Sequence, residues 1–76
     1  IAANPDDHEA RYLLAAWRVL EGAYEPALDQ LLEIVRRDRK FRDDAARKAI
    51  LAVFNILGGQ GELVTRYRKL LSMALN

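Results

Sequence analysis

The sequence has no cysteine, only two prolines and a single histidine among its 76 residues. A chain without cysteine has neither disulfide staples nor thiol chemistry, which is typical of a reducing compartment, so we expect a cytoplasmic protein. The scarcity of proline is typical of packed helices. The single histidine, His8, has only acidic neighbours and too few ligands for a metal site. We therefore interpret it as an exposed residue in the first turn of a helix.

The net charge and the hydropathy argue against two classes of partner, nucleic acids and membranes. Twelve basic residues against eleven acidic ones give a net charge of +1, so no global field attracts nucleic acid or a membrane surface. No apolar run approaches the ~20 residues that a membrane-spanning helix requires. No set of side chains forms a catalytic constellation, and we expect neither an enzyme nor a cofactor or metal site.

What the sequence does contain is a near repetition of itself at an offset of 36 residues. When the sequence is aligned with itself at this offset, small and apolar residues of the first half align with similar residues of the second half. The matched pairs are Ala10 and Ala46, Leu14 and Ile50, Ala16 and Ala52, Gly22 and Gly58, and Leu31 and Tyr67. A period in the thirties with two helical stretches is typical of helical-hairpin repeat proteins, which bind other proteins.

Hydrophobic spacing predicts four helices, at about residues 7–20, 25–37, 42–57 and 62–74. The acidic pairs Asp6-Asp7 and Asp43-Asp44 begin two of them, so we interpret these carboxylates as helix caps rather than catalytic acids. Asp6 is the predicted N-cap of the first helix, and Glu9 completes a capping box with it.

Glycine is predicted to end two of the helices. Gly22 follows the first helix and can adopt the left-handed conformation of a helix end. Residues 58–61, Gly-Gly-Gln-Gly, break the third helix. A phosphate loop would need a preceding strand and a Lys-Ser or Lys-Thr pair, so we favour a simple turn here.

The apolar residues of each helix predict its buried face. In the first helix they are Leu13, Leu14, Trp17 and Leu20; in the second, Ala27, Leu28, Leu31, Leu32, Ile34 and Val35. In the third they are Ala46, Ala49, Ile50, Val53, Phe54 and Leu57; in the fourth, Leu63, Val64, Tyr67, Leu70, Leu71, Ala74 and Leu75. We expect Trp17, Tyr24, Phe54 and Tyr67 in the core. The basic segment 36–42 has two interpretations, a solvated helix end or a contact with an acidic partner, and we favour the first.

Neither hairpin can bury its apolar face alone, so the predicted fold is all-α, with two stacked antiparallel helical hairpins. We expect one domain, residues 1–76, with repeat one at about 6–40 and a degenerate repeat two at about 41–76. Residues 1–5 are interpreted as the tail of a preceding repeat. Because the sequence begins at Ile1 rather than Met, we expect it to be a piece of a longer protein.

The first unit resembles a tetratricopeptide repeat. The matching residues are Leu14 and Ala15 in the first helix, Gly22, Tyr24, Ala27 and Leu28 around the turn, and Asn4-Pro5-Asp6 before the repeat. Arg18, Ile34 and Arg39 depart from the consensus. The resemblance implies that Tyr12, Ala16 and Val19 face a concave surface. This surface is apolar and suits either an apolar client segment or a packed upstream repeat.

The second unit is similar to the C-terminal region of the chaperedoxins, bacterial proteins with a thioredoxin domain. The similarity is carried by Leu57-Gly58, Leu63, Tyr67-Arg68-Lys69 and residues 71–75, and extends over residues 27–54. It implies a holdase that binds unfolded clients and passes them to the ring-shaped chaperonin through its last helix. Partner binding is then expected at four residues outside the core stripe, Arg66, Lys69, Met73 and Asn76. The alternative is a structural or self-associating scaffold without a client role.

Overall fold

The computed structural model describes residues 7–76, and within this range the chain forms four α-helices and no strand. Helix α1 spans His8–Leu20, α2 Tyr24–Arg37, α3 Ala45–Ile56 and α4 Glu62–Leu75. The predicted all-α fold of two helical hairpins is confirmed. The expectation for residues 1–5, the tail of a preceding repeat, lies outside the described residues.

The two hairpin turns use the same helix cap. After α1, Gly22 N–H donates to Val19 C=O at 3.0 Å and Ala23 N–H donates to Arg18 C=O at 2.8 Å. After α3, Gly58 and Gly59 donate in the same pattern, at 3.0 and 2.8 Å, to the carbonyls of Asn55 and Phe54. Both are Schellman caps, with φ values of 77° at Gly22 and 84° at Gly58. The caps are therefore repeated at the 36-residue offset, and both predicted glycine stops are confirmed.

The N-terminus of α1 is capped one residue later than expected. Asp7 is the N-cap, and its Oδ1 accepts a hydrogen bond from the Ala10 N–H at 3.0 Å. Because α1 begins at His8, Glu9 is not at the position that closes a capping box. The carboxylate of Glu9 instead pairs with Arg42 in the turn before α3.

Helix α3 begins three residues later than the sequence pattern suggests. Arg42, Asp43 and Asp44 have φ values of 47°, 57° and 70°, so they form a left-handed turn that cannot continue into a right-handed helix. Asp44 is the N-cap by position, but its side chain makes no capping hydrogen bond and accepts from Arg47 Nε at 2.6 Å. The interpretation of Asp43-Asp44 as capping carboxylates is therefore wrong.

Helix α2 is the centre of the fold, since it packs against each of the other three helices. Its predicted apolar residues, Ala27, Leu28, Leu31, Leu32, Ile34 and Val35, are all buried. From α3 and α4 the buried residues are Ala46, Ile50, Val53, Phe54, Val64, Tyr67 and Leu71. The predicted core faces of α2, α3 and α4 are thus confirmed, because each of those helices has one dominant apolar side.

Helix α1 is rotated relative to the prediction. Its buried residue is Ala15, 1% exposed, whereas Leu13, Trp17 and Leu20 are 65%, 61% and 79% exposed. Residues two apart on a helix differ by about 200°, so Leu13 and Trp17 lie on the side opposite Ala15. The small Ala15 side chain lets α1 approach α2 closely, and the prediction of a buried stripe at Leu13, Trp17 and Leu20 is wrong. Of the four aromatic residues expected in the core, Phe54 and Tyr67 are buried and Tyr24 is half-buried.

Candidate functional site

An apolar groove lies between α1 and α3, with α2 beneath it. Its volume is about 310 Å³. The lining residues are Tyr12, Ala15, Ala16, Val19 and Leu20 from α1, Leu31 from α2, and Ala49, Ala52, Val53 and Ile56 from α3. The hydroxyl of Tyr12 is the only polar side-chain atom among them. The groove therefore presents carbon almost everywhere, which favours an apolar ligand.

The groove contains all three residues expected on a concave surface. Tyr12 and Val19 are half-buried and Ala16 is exposed, and the three form one wall along α1. Their role in binding stays a prediction. The opposite wall, Ala52 and Ile56, was not foreseen, although the sequence holds one signal for it. The 36-residue offset pairs Ala16 with Ala52, so the two walls present the same small side chain.

An exposed ion pair lies beside Tyr12, at one end of the α1 wall. Arg42 donates from Nε and Nη2 to the two carboxylate oxygens of Glu9, at 2.7 and 2.8 Å. The Arg42 guanidinium also lies 5.8 Å from the Tyr12 ring centre and 5.9 Å from that of Phe41. The hydrogen bond to Glu9 and the charge of its carboxylate raise the pKa of Arg42. The left-handed turn is thereby tied to the first turn of α1.

His8 belongs to the same end of the molecule. Its ring packs edge-on against Phe41 at a centroid distance of 5.7 Å. His8 lies in the first turn of α1 as expected, but it is half-buried rather than exposed, because Phe41 covers it. Nδ1 of His8 is buried and has no hydrogen-bond partner among residues 7–76. No group of three metal-ligating side chains occurs in that same range.

The four residues predicted to bind partners lie on the exposed side of α4. Arg66, Lys69 and Met73 are spaced three and four residues apart, so they form one stripe, and Asn76 follows the helix. Met73 is 63% exposed. The role of this stripe in docking stays a prediction.

Arg66 also makes an exposed ion pair between α4 and α2. Its guanidinium pairs with the Glu25 carboxylate and lies 5.1 Å from the ring centre of Tyr67. The hydrogen bond to Glu25 is the main reason that the pKa of Arg66 is raised. Beside it the Tyr67 hydroxyl donates to Asp29 of α2. Burial first, and then this bond to Asp29, raises the pKa of Tyr67 to about 12.

Comparison with known proteins gives one result. The model of a family described as Tetratricopeptide repeat matches residues 1–76. No curated protein and no solved structure matches the chain. Among the helices of residues 7–76, none is both long and apolar enough to cross a membrane.

Proposed function

The chain belongs to the tetratricopeptide repeat family, and from this premise we propose that its groove between α1 and α3 binds an apolar segment of another protein. Repeats of this kind serve protein–protein interaction rather than catalysis. The single observation that carries the proposal is the lining of the groove, in which ten residues contribute one polar side-chain atom. Such a surface gains free energy by burying apolar side chains and offers nothing to orient a polar ligand.

We further propose that the partners are unfolded client proteins, so that the chain is part of a holdase. Unfolded chains expose apolar segments that a folded protein buries, and these segments match the chemistry of the groove. The similarity of residues 27–54 and 57–75 to the chaperedoxins supports this class of client. In a chaperedoxin the thioredoxin domain would lie outside these 76 residues.

Client binding is tested with a permanently unfolded protein, reduced and carboxymethylated α-lactalbumin carrying a fluorescent label. The 76-residue chain is titrated into it and fluorescence anisotropy is recorded. We expect saturable binding that Ala52→Glu weakens at least tenfold, because the substitution places a charge at the mouth of the groove. The matched control is Leu51→Glu, which adds the same charge to the same helix outside the groove. Equal weakening by both variants would contradict groove binding.

Docking to the chaperonin is a second proposal, and the exposed stripe of α4 favours it. Because Arg66 is engaged with Glu25, we assign the contact to Lys69, Met73 and Asn76. Methionine is adaptable at binding surfaces. We expect Lys69→Ala with Met73→Ala to reduce binding to the purified ring, measured by surface plasmon resonance.

The control for this test is the pair Arg36→Ala with Leu51→Ala. It also removes one exposed cation and one exposed apolar side chain, from α2 and α3. Circular dichroism checks that both double variants stay helical. Undiminished binding by the α4 variant contradicts the docking proposal, and so does the absence of binding by the unaltered chain.

The alternative function, a self-associating scaffold, is favoured by a different surface. Leu13 and Trp17 form an exposed apolar patch on the outer side of α1, and the exposed Leu20 lies between this patch and the groove that it also lines. Contiguous apolar surface of this kind marks interaction sites. Sedimentation velocity over a range of concentrations distinguishes the two functions. A mass that rises with concentration, and that Trp17→Glu returns to the monomer value, would support the scaffold.

A further inference from the structure

Positive charge is concentrated in one stretch of the chain. Residues 36–48 contain seven of the twelve basic residues and three of the eleven acidic ones, a net charge of +4 in a chain of +1, so the remaining residues carry −3. This stretch comprises the end of α2, the loop and left-handed turn after it, and the start of α3. The near-neutral composition therefore conceals a basic patch, which attracts acidic groups at short range.

A hollow of about 750 Å³ lies between this basic stretch and the end of α4. It is lined by Arg39, Lys40, Asp43, Asp44, Arg47 and Leu75, none of which lines the groove between α1 and α3. Leu75 is half-buried and gives the hollow one apolar side chain among the charged ones. The hollow is thus a separate surface, and its chemistry differs from that of the groove.

The two carboxylates that line the hollow lie beside cations of α3. Asp44 accepts a hydrogen bond from Arg47 Nε at 2.6 Å, and Asp43 lies 3.6 Å from the Lys48 ammonium nitrogen. The two side chains of Arg39-Lys40, by contrast, make no hydrogen bond or ion pair with any of residues 7–76. The hollow therefore presents two adjacent cations that lack a counter-charge within this range.

The dipole of α2 does not account for these two cations. Its negative end explains Arg36 and Arg37, which lie in the last turn of the helix. Arg39-Lys40 lie beyond the C-cap, Asp38, where the backbone is already extended. The carboxylate of Asp38 accepts from the backbone N–H of Lys40 at 3.1 Å and makes no ion pair with either side chain. Both cations are thus available to a partner.

We propose that the hollow docks an acidic segment of a partner protein, which places carboxylates on Arg39-Lys40 and an apolar side chain on Leu75. A guanidinium binds a carboxylate through two parallel hydrogen bonds, and lysine adds a point charge. A peptide can present acidic and apolar side chains side by side, as this lining requires. A nucleic acid carries charge at every nucleotide, so its backbone would also meet Asp43 and Asp44. None of the described residues that line the hollow is aromatic, so bases find no stacking surface there.

The test titrates the 76-residue chain into a fluorescent peptide in which glutamates surround a central leucine, and fluorescence anisotropy gives the affinity. Arg39→Gln with Lys40→Gln should weaken binding about fivefold, since each exposed ion pair contributes only a small free energy. The matched control is Arg68→Gln with Lys69→Gln, which removes the same two adjacent side chains from the exposed side of α4. It should leave the affinity unchanged. Circular dichroism checks that both double variants stay helical.

Further comparisons separate the possible failures. The affinity should fall between about 0.1 M and about 1 M sodium chloride, because the Debye length shortens from about 10 Å to about 3 Å. Ala52→Gln, a neutral change in the groove, should have no effect on this peptide, and a loss of binding would place the peptide in the groove and overturn the proposal. A peptide with alanine in place of leucine should bind more weakly, and equal affinity overturns the role of Leu75.

Three other results overturn the proposal as a whole. They are equal weakening by the two double variants, the absence of binding by the unaltered chain, and tighter binding of a thymidine oligonucleotide than of an acidic peptide of equal charge. The last result would assign the hollow to nucleic acid. None of the three bears on the groove, so the proposed function is tested separately.

Discussion

The rotation of α1 about its own axis is tested by replacing leucine with alanine at two positions, one buried and one exposed. Leu28 of α2 is 0% exposed, and Leu13 of α1 is 65% exposed. Replacing a fully buried leucine by alanine destabilises a protein by about 2–5 kcal/mol, through lost transfer free energy and a cavity. A chain of this length has a total stability of roughly 4–11 kcal/mol, so Leu28→Ala removes a large share of it. At about 4–8 °C per kcal/mol, a loss of ~3 kcal/mol lowers the melting temperature by about 12–24 °C.

Leu13→Ala should have almost no effect on the free energy of unfolding. The side chain is in solvent, and alanine is the better helix former, so the change in stability stays within about 0.5 kcal/mol. Urea and thermal unfolding followed by far-ultraviolet circular dichroism give both values, and an unchanged urea slope shows that the two unfolding reactions are comparable. If Leu13→Ala destabilises the chain as much as Leu28→Ala does, α1 does not pack through Ala15 and the rotation is refuted.

Three further predictions concern the polar contacts and the left-handed turn. Folding raises the pKa of Tyr67 from 10.0 to about 12, so the protonated hydroxyl contributes its full stability below pH 10 and loses it between pH 10 and about 12. Melting temperatures measured across this pH range should therefore fall less steeply for Tyr67→Phe than for the unaltered chain. Asp43→Gly should raise the melting temperature by about 2–4 °C, since glycine adopts a φ of 57° without the penalty of a side chain. Glu9→Gln should lower the melting temperature slightly at low salt and not at high salt, because the exposed pair with Arg42 is screened; an effect independent of salt contradicts this account.

The existence of all four helices was predictable from the sequence, whereas the buried face of α1 was not. In α2 the apolar and charged residues separate cleanly, and the hydrophobic period assigns its buried side correctly. In α1 nearly every residue from Tyr12 to Leu20 is apolar, so the hydrophobic period does not select one face. The helical spacing of Leu13, Trp17 and Leu20 suggested one side, whereas the packed helix buries Ala15 on the opposite side. The late start of α3 has only a weak sequence signal, because aspartate tolerates a positive φ but none of residues 42–44 is a glycine.

About half of the candidate site was predictable from the sequence. The resemblance to tetratricopeptide repeats implied the α1 wall, whereas the α3 wall was not predicted, although the 36-residue offset pairs Ala16 with Ala52. The ion pairs made by the candidate site residues join positions that are far apart in sequence. Arg66 and Glu25 are 41 residues apart in sequence, and Glu9 and Arg42 are 33 apart. Each of these side chains has an ordinary position on the surface of its own helix or turn, and only the packed fold brings the partners together.

The position of Trp17 has a consequence for spectroscopy. It is the only tryptophan of the chain, and its indole is 61% exposed on the outer side of α1. Its emission in the folded protein should therefore resemble that of an indole in water and change little on unfolding. The same property makes it a selective reporter, because Trp17 does not line the groove. A ligand in the groove should leave the emission maximum in place, whereas a second molecule on the outer face of α1 should shift it to shorter wavelength. One unlabelled fluorescence titration thus distinguishes the two proposed binding surfaces.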